Sequence, residues 1–181
     1  LKGSFSIRDA TSDLPGTGAL IADFTSRVGT LSCQLLPDRA PIAVANFIGL
    51  AQATRPHRVA GGWKKTHAYD GQPLGPVLRG SMVFIGDMSA GYVIADEIYD
   101  GMSHDKAGLL CMRSRGPNSG SMQLVLTLGP APRLDPTAKR GANTIIGHCG
   151  PTAVLKAINA LAAPLALDRV RVRRAKQHAT Q

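Results

Sequence analysis

Gly29-Thr-Leu-Ser-Cys-Gln-Leu-Leu-Pro-Asp-Arg-Ala-Pro41, followed at once by Val44-Ala-Asn-Phe47, carries the transitions that decide the fold. Thr30 to Leu36 is a short apolar-rich run, and Pro37-Asp-Arg-Ala-Pro41 is a loop. Val44, Phe47, Ile48 and Ala51 then recur at the spacing of one helix face, with Pro41 before the first turn, where its missing N–H costs nothing. The spacing predicts a helix over 42–52. Upstream, Ala19 to Thr25 is a second apolar run, divided from the first by Ser26-Arg-Val-Gly29, so the pair reads as two strands joined by a tight turn.

Moving outward, strand-like runs follow at Val77 to Leu78, Met82 to Ile85, Gly108 to Met112, Met122 to Leu128 and Asn143 to Gly147, each bounded by turn residues. Thr152 to Ala162 reads as a second helix, with Thr152 as its cap and Val154, Leu155, Ile158 and Leu161 on its apolar face. Val170 and Val172 alternate with Arg169, Arg171 and Arg173, the period of a strand with one wet face. Many short strands with turns between them, in a chain holding 20 Gly and 12 Pro, indicate a β sandwich or a closed barrel. Residues 1–18 read as an irregular arm in which Gly16-Thr-Gly18 is a turn, 19–172 as the domain, and 173–181 as a basic tail. Ala53 to Ala68, with Gly61-Gly62-Trp63-Lys64-Lys65, reads as an exposed connector.

Lys and Arg number 21 against 12 Asp and Glu, a formal charge of +9. Arg169, Arg171, Arg173, Arg174 and Lys176 crowd the C-terminal end, a pattern that suits an anionic partner such as RNA, an acidic protein or a membrane surface. Cys33, Cys111 and Cys149 form no CxxC and cannot all pair, which favours a reducing compartment. No run reaches the roughly 20 apolar residues that cross a bilayer. His57, His67, His104, His148 and His178 have no metal-site spacing, so neither metal nor cofactor is expected. The chain opens on Leu1 rather than Met, which together with the basic composition suggests a removed leader and a mitochondrial address.

The order of strands and helices, together with a series of local strings, resembles the cyclophilins. Gly29 to Pro41 with Val44-Ala-Asn-Phe47 is similar to the family's second strand and first helix. Tyr69-Asp-Gly71 stands where a family motif precedes the catalytic arginine, and Gly91-Tyr92 with Asp96-Glu97 resembles a family loop. Gly108-Leu-Leu-Cys-Met112, Gly116-Pro-Asn118 and Gln123 resemble one wall of the family's peptide groove, and Leu134-Asp135 another family pair. The resemblance implies an all-β fold with two helices: an eight-stranded antiparallel barrel, closed, with a helix at each end.

It also implies a reaction, rotation about X–Pro bonds, and a residue set for it. In active cyclophilins an arginine follows Tyr-Asp-Gly in a Phe-His-Arg string; the matching string here is Leu74-Gly75-Pro76, so Pro76 holds the arginine's place without charge or donor. Ser81 matches a phenylalanine, Met82 is kept, and Phe84 matches a glutamine. Arg113-Ser114 match an Ala-Asn pair, Gln123 is kept, and Val125 matches the aromatic floor of the proline pocket. Arg133 matches a tryptophan, Leu134 is kept, and the groove histidine falls near Ala138. Loss of a preorganised donor typically costs about 10²–10³ in rate, and Arg79, three residues on, would face the other side of a continuous strand. The sequence-based expectation is therefore a non-catalytic cyclophilin-like subunit of a large, organellar assembly such as a respiratory complex or mitoribosome, with protein subunits as partners. The alternatives are an active isomerase with a rearranged site and an RNA-associated protein using the basic tail.

Overall fold

The computed structural model describes residues 5–86, 89–137 and 141–176. The opening strings fold as read. β1 (Leu20–Ser26) and β2 (Gly29–Leu35) form a hairpin, and α2 (Pro41–Ala51) begins on Pro41. Ahead of them the arm is not wholly irregular. α1 (Ile7–Ala10) is a single turn closed by a capping box between Ser6 and Asp9, making a third helix. It packs on α2, whose residues Ala43 to Ala51 are all buried. A helix apolar on every side needs cover on every side; a Cβ on Gly49 would lie 2.5 Å from the Phe5 ring, so the arm is part of that cover.

The connector also carries structure: β3 (His57–Val59) and β4 (Gly62–Lys64) make a small hairpin, and Trp63 stacks on Tyr92 at 6.2 Å. β5 (Pro73–Leu78), β6 (Met82–Ile85), β7 (Leu109–Met112), β8 (Leu124–Thr127) and β9 (Ile145–Gly150) follow. α3 (Thr152–Asn159) starts one residue after Pro151, and Thr152 makes no cap bond, contrary to its expected role. β10 (Leu165–Ala166) and β11 (Arg169–Arg174) complete the chain, so the last strand runs past the expected domain edge at Val172.

Nine strands form one antiparallel sheet in the order β10-β5-β6-β8-β7-β9-β2-β1-β11. The expected ring of eight unbroken strands is thus replaced by a curled sheet of nine. Its two edges, β10 and β11, are consecutive in the chain. Between them the Leu167 N–H donates to Gln72 and the Asp168 N–H to Thr25, so this short passage hands the chain from the β5 side to the β1 side. α3 lies at the hairpin end of β1 and β2, where Val154 faces Gly29, and α2 toward the other end, where Gln52 exchanges two hydrogen bonds with the backbone of Val172.

The family-like strings hold this arrangement together. The Tyr69 hydroxyl, fully buried, donates to the Met122 carbonyl at 2.8 Å. Asp70 accepts from the Val170 N–H at 2.9 Å and from both terminal nitrogens of Arg171 at 2.8 Å. Glu97 accepts from the N–H groups of Ile42 and Ala43, supplying the α2 N-terminus with the acceptor that Ala40 lacks. Among the described residues, no helix is long and apolar enough to cross a membrane, and no three His, Cys, Asp or Glu side chains gather as a metal site.

Burial by itself would raise the Asp70 pKa, but the hydrogen bonds from Arg171 and Val170 outweigh it and hold the carboxyl below its ordinary 3.8. A depressed carboxyl contributes stability that is complete above the unfolded value and is lost as pH falls through the folded one. Asp70→Asn should therefore cost about 1–2 kcal/mol near neutrality. Urea titrations of the two proteins across pH should show that gap closing below pH about 4, with the wild type losing the advantage.

Candidate functional site

The register of the central strands sorts side chains to the two faces of the sheet. Met82, Phe84, Val125, Leu109, Cys111 and Ile145 alternate with Val83, Ile85, Leu124, Leu126, Leu110 and Ile146. The second group joins the main core inside the curl. The first joins Ala131 and Leu134 in a separate cluster on the outer face. Because both faces are covered, β7 and β8 are buried at every residue, which explains their unbroken apolar runs.

A hollow of about 350 Å³ opens on this outer cluster. Its floor is Met82, Val125 and Leu134, all buried, and Phe84 and Leu78 add apolar surface at one side. That volume lies in the range of small-ligand pockets.

Arg113 follows β7 directly and Gln123 precedes β8 directly. Their backbones continue the ladder, the Arg113 N–H donating to the Gln123 carbonyl at 2.9 Å. Both side chains thus fall on the outer face beside Val125. Arg113 Nη1 donates to Gln123 Oε1, and Gln123 Nε2 donates to the Gly86 carbonyl at 3.2 Å. The Arg113 guanidinium also lies over the Phe84 ring, 4.5 Å from its centroid, a cation–π contact. Amide and ring together hold the group in place at the edge of the hollow. Partial burial, and after it the nearby Arg115 charge, lower the Arg113 pKa from the usual guanidinium range, where it stays cationic at neutral pH.

The opposite wall is built from one buried amide and one buried imidazole. Asn143 accepts from the Ser114 N–H at 3.1 Å and donates to the Leu134 carbonyl at 3.1 Å, tying the two walls together. Leu134 and Arg133 belong to a 3-10 turn, Pro132–Leu134. Behind that turn His104, wholly buried, sets Nδ1 2.7 Å from Asp135 Oδ1 and Nε2 3.0 Å from the Asn143 carbonyl, while its backbone N–H also donates to Asp135. His104, which has no metal-site spacing in the sequence, braces this wall. Leu134-Asp135 was the visible half of the pair.

Seven of the residues singled out from the sequence line the hollow: Met82, Phe84, Arg113, Ser114, Val125, Arg133 and Leu134. Two more support it. Gln123 holds Arg113, and the Ser81 hydroxyl accepts from Arg133 at 3.2 Å. Pro76 stands apart, exposed on β5 where the register shifts between Leu74 and Val77, and Arg79 is exposed beyond that strand. Ala138 lies outside the described residues. Of the C-terminal cations, Arg171 pairs with Asp70, Arg173 with Asp23 at 2.7 Å, and Arg174 donates to the Gly18 carbonyl, so these three serve the fold. Arg169 and Lys176 are exposed.

The cysteines divide into a disulfide, Cys33–Cys149 between β2 and β9, and a buried Cys111 thiol whose pKa burial raises. One pair therefore forms, and the count of three carries no argument for a reducing compartment.

Residues 21–177 match the family model described as cyclophilin type peptidyl-prolyl cis-trans isomerase/CLD. The chain is 33% identical over 135 residues to the peptidyl-prolyl cis-trans isomerase A of Mycobacterium tuberculosis, covering 70% of this chain and 74% of that protein. It is 31% identical over 152 residues to the peptidyl-prolyl cis-trans isomerase B of Streptomyces anulatus, covering 80% and 84%. A crystal structure of a cyclophilin type peptidyl-prolyl cis-trans isomerase from Cryptosporidium parvum superposes with a TM-score of 0.70 at 18% identity, covering 88% of this chain and all of that one, which establishes the shared fold.

These relatives correct the expectation of a degenerate, non-catalytic chain, for proteins named as isomerases align over most of its length. Pro76 is a single position on β5 and does not line the hollow. The hollow is edged by a guanidinium that arrives from another strand.

His104→Ala would leave the Asp135 carboxylate and the Asn143 carbonyl without their partner and open a void behind Leu134. The expected loss is roughly 2–4 kcal/mol by chemical denaturation.

Proposed function

This chain belongs to the cyclophilin-type peptidyl-prolyl cis-trans isomerases, and from that premise we propose that it isomerises X–Pro bonds in the outer hollow with Arg113 as the catalytic cation. The barrier to be lowered is amide resonance, about 18–20 kcal/mol for a peptide bond. Twisting the bond breaks that resonance and localises a lone pair on the prolyl nitrogen. A donor placed at that nitrogen stabilises the twisted amide more than the planar one, which is the differential binding that catalysis needs.

The residues supply each part of this scheme. Met82, Val125 and Leu134 offer a buried apolar seat for the pyrrolidine ring. Arg113 stands at its edge with one nitrogen committed to Gln123, and a guanidinium has five N–H donors in all. Asn143 and Ser114 fix the far side. No covalent step or cofactor enters.

The observation that carries the reading is the fixing of Arg113 between the Gln123 amide and the Phe84 ring. A guanidinium already held in place does not spend binding energy on reorganising when the amide twists. The reaction depends on where the positive charge stands, and its address in the chain is immaterial.

Arg113→Ala should lower kcat/KM on an X–Pro peptide about 10²–10³-fold, read by NMR exchange or a protease-coupled assay. Arg113→Lys should recover little of it, since an ammonium lacks the planar fork. Wild-type protein with no rate above the uncatalysed background, or an Arg113→Ala variant of equal rate and unchanged melting temperature, would refute the proposal.

A further inference from the structure

We propose that the β3–β4 hairpin carries a second binding site, for single-stranded nucleic acid, in which an unpaired base stacks on Trp63. The site is separate from the outer hollow and does not depend on isomerase activity.

The hairpin forms its own two-stranded sheet, outside the sheet of nine. Two strands alone are marginal in water, and Trp63 anchors them by stacking on Tyr92 with the ring planes 13° apart. Tyr92 is fixed in turn. Its hydroxyl donates to Asn46 Oδ1 at 2.9 Å, and the Arg55 guanidinium lies 4.4 Å from its ring centroid and 5.0 Å from that of Phe5. Phe5, Arg55, Tyr92 and Trp63 thus make a run of flat groups in contact, from the N-terminal arm to the hairpin. Anchoring accounts for the part of the indole that meets Tyr92. Trp63 is still 46% exposed, and among the described residues no cation lies over its ring. The run ends in an open aromatic surface, and every nucleobase has a π-face that would extend it.

The charge around this surface has one sign. From Arg39 to Tyr69 the chain holds Arg39, Arg55, Arg58, Lys64 and Lys65 and no Asp or Glu. Arg58 is the partner of Trp63 across the ladder, so both side chains fall on one face of the hairpin, and Lys64 is the next residue; Arg58 and Lys64 are exposed. Lys65 lines a basin together with Arg8, Asp9 and Asp13, so contact with phosphates falls to Arg58 and Lys64. An indole flanked by exposed cations matches the alternation of base and phosphate along a single strand. In a duplex the base faces are already stacked, which confines the site to unpaired strands. An acidic peptide would engage the cations and leave the ring face idle.

Trp63 is the one tryptophan of the chain, so its emission reports this site alone. Adding oligouridylate or oligothymidylate to the full chain should quench that emission, and affinity should fall as salt rises. By anisotropy of a labelled oligonucleotide, Trp63→Ala should weaken binding about ten- to hundredfold and Trp63→Phe much less, with circular dichroism verifying the fold. Arg58→Gln and Lys64→Gln should each lower the slope of log affinity against log salt by about 0.7. Binding of the ribo-oligomer alone would identify RNA as the partner, and equal binding would show that the sugar is not read; both uphold the proposal. Binding without quenching would overturn it, as would equal binding of the corresponding duplex. So would a loss in the Arg169→Gln, Lys176→Gln double variant as large as in the Arg58→Gln, Lys64→Gln one. Capture by anionic phospholipid vesicles with no oligonucleotide binding would replace it with a membrane surface.

Discussion

The double-sided burial of β7 and β8, continued over most of β6 and the first half of β9, is the constraint on which everything else rests. A strand covered on one face only needs alternate apolar residues. Here both faces need them, because the curl's interior takes Val83, Leu124, Leu126 and Leu110 while the outer cluster takes Met82, Val125, Leu109 and Cys111. A slip of one residue in register would exchange these two sets. The two sets differ in what continues them: Arg113 and Gln123 extend the outer one, and a slip would aim the guanidinium into the barrel, where a charge has no compensation. Packing on both faces therefore fixes the direction of the Arg113 guanidinium as firmly as it fixes the strands.

Of three departures from the family pattern, two meet in space. Pro76 removes a guanidinium from β5, Arg113 brings one in from the end of β7, and Phe84 puts an aromatic face where the pattern has a glutamine. Taken singly each looks like damage to a groove. In space Arg113 lies over the Phe84 ring and bonds to the retained Gln123, while Pro76 stands apart on β5. Val125 in place of an aromatic floor belongs to the same change, since it pairs across the ladder with Phe84.

Most of the fold was legible in the chain. Helix spacing from Val44 to Ala51 and the alternation of Val170 and Val172 with arginines both report a face that must be buried, and burial is what the pattern encodes. The turn Ile7–Ala10 and the hairpin His57–Lys64 were illegible because a few residues cannot establish a period; they are set by a capping box and by the stacking of Trp63 on Tyr92. The site was half legible. Its residues could be named by resemblance, but a position-by-position match does not record which side chains from different strands meet in space. Arg113 meets Gln123 through ladder register, and Arg113 meets Phe84 across two strand pairings, neither of which any local string contains. His104 escaped for the same reason: its partners, Asp135 and Asn143, come from distant loops.

Charge shows the same limit in its clearest form. The chain's excess of +9 looks like one property, a basic protein awaiting an anion, and its densest run, Arg169 to Arg174, looks like the place to find it. Within that run Arg171 and Arg173 are paired, because β11 lies against β1 and against the Tyr69-Asp70-Gly71 turn, which bring Asp23 and Asp70 to Arg173 and Arg171. Arg113, Arg115 and Arg133 are thinly scattered in sequence, and the fold gathers them on the lining of one hollow. Which of these cations serve the fold is thus decided by what stands opposite them across a sheet or a turn, and charge density along the chain does not record that.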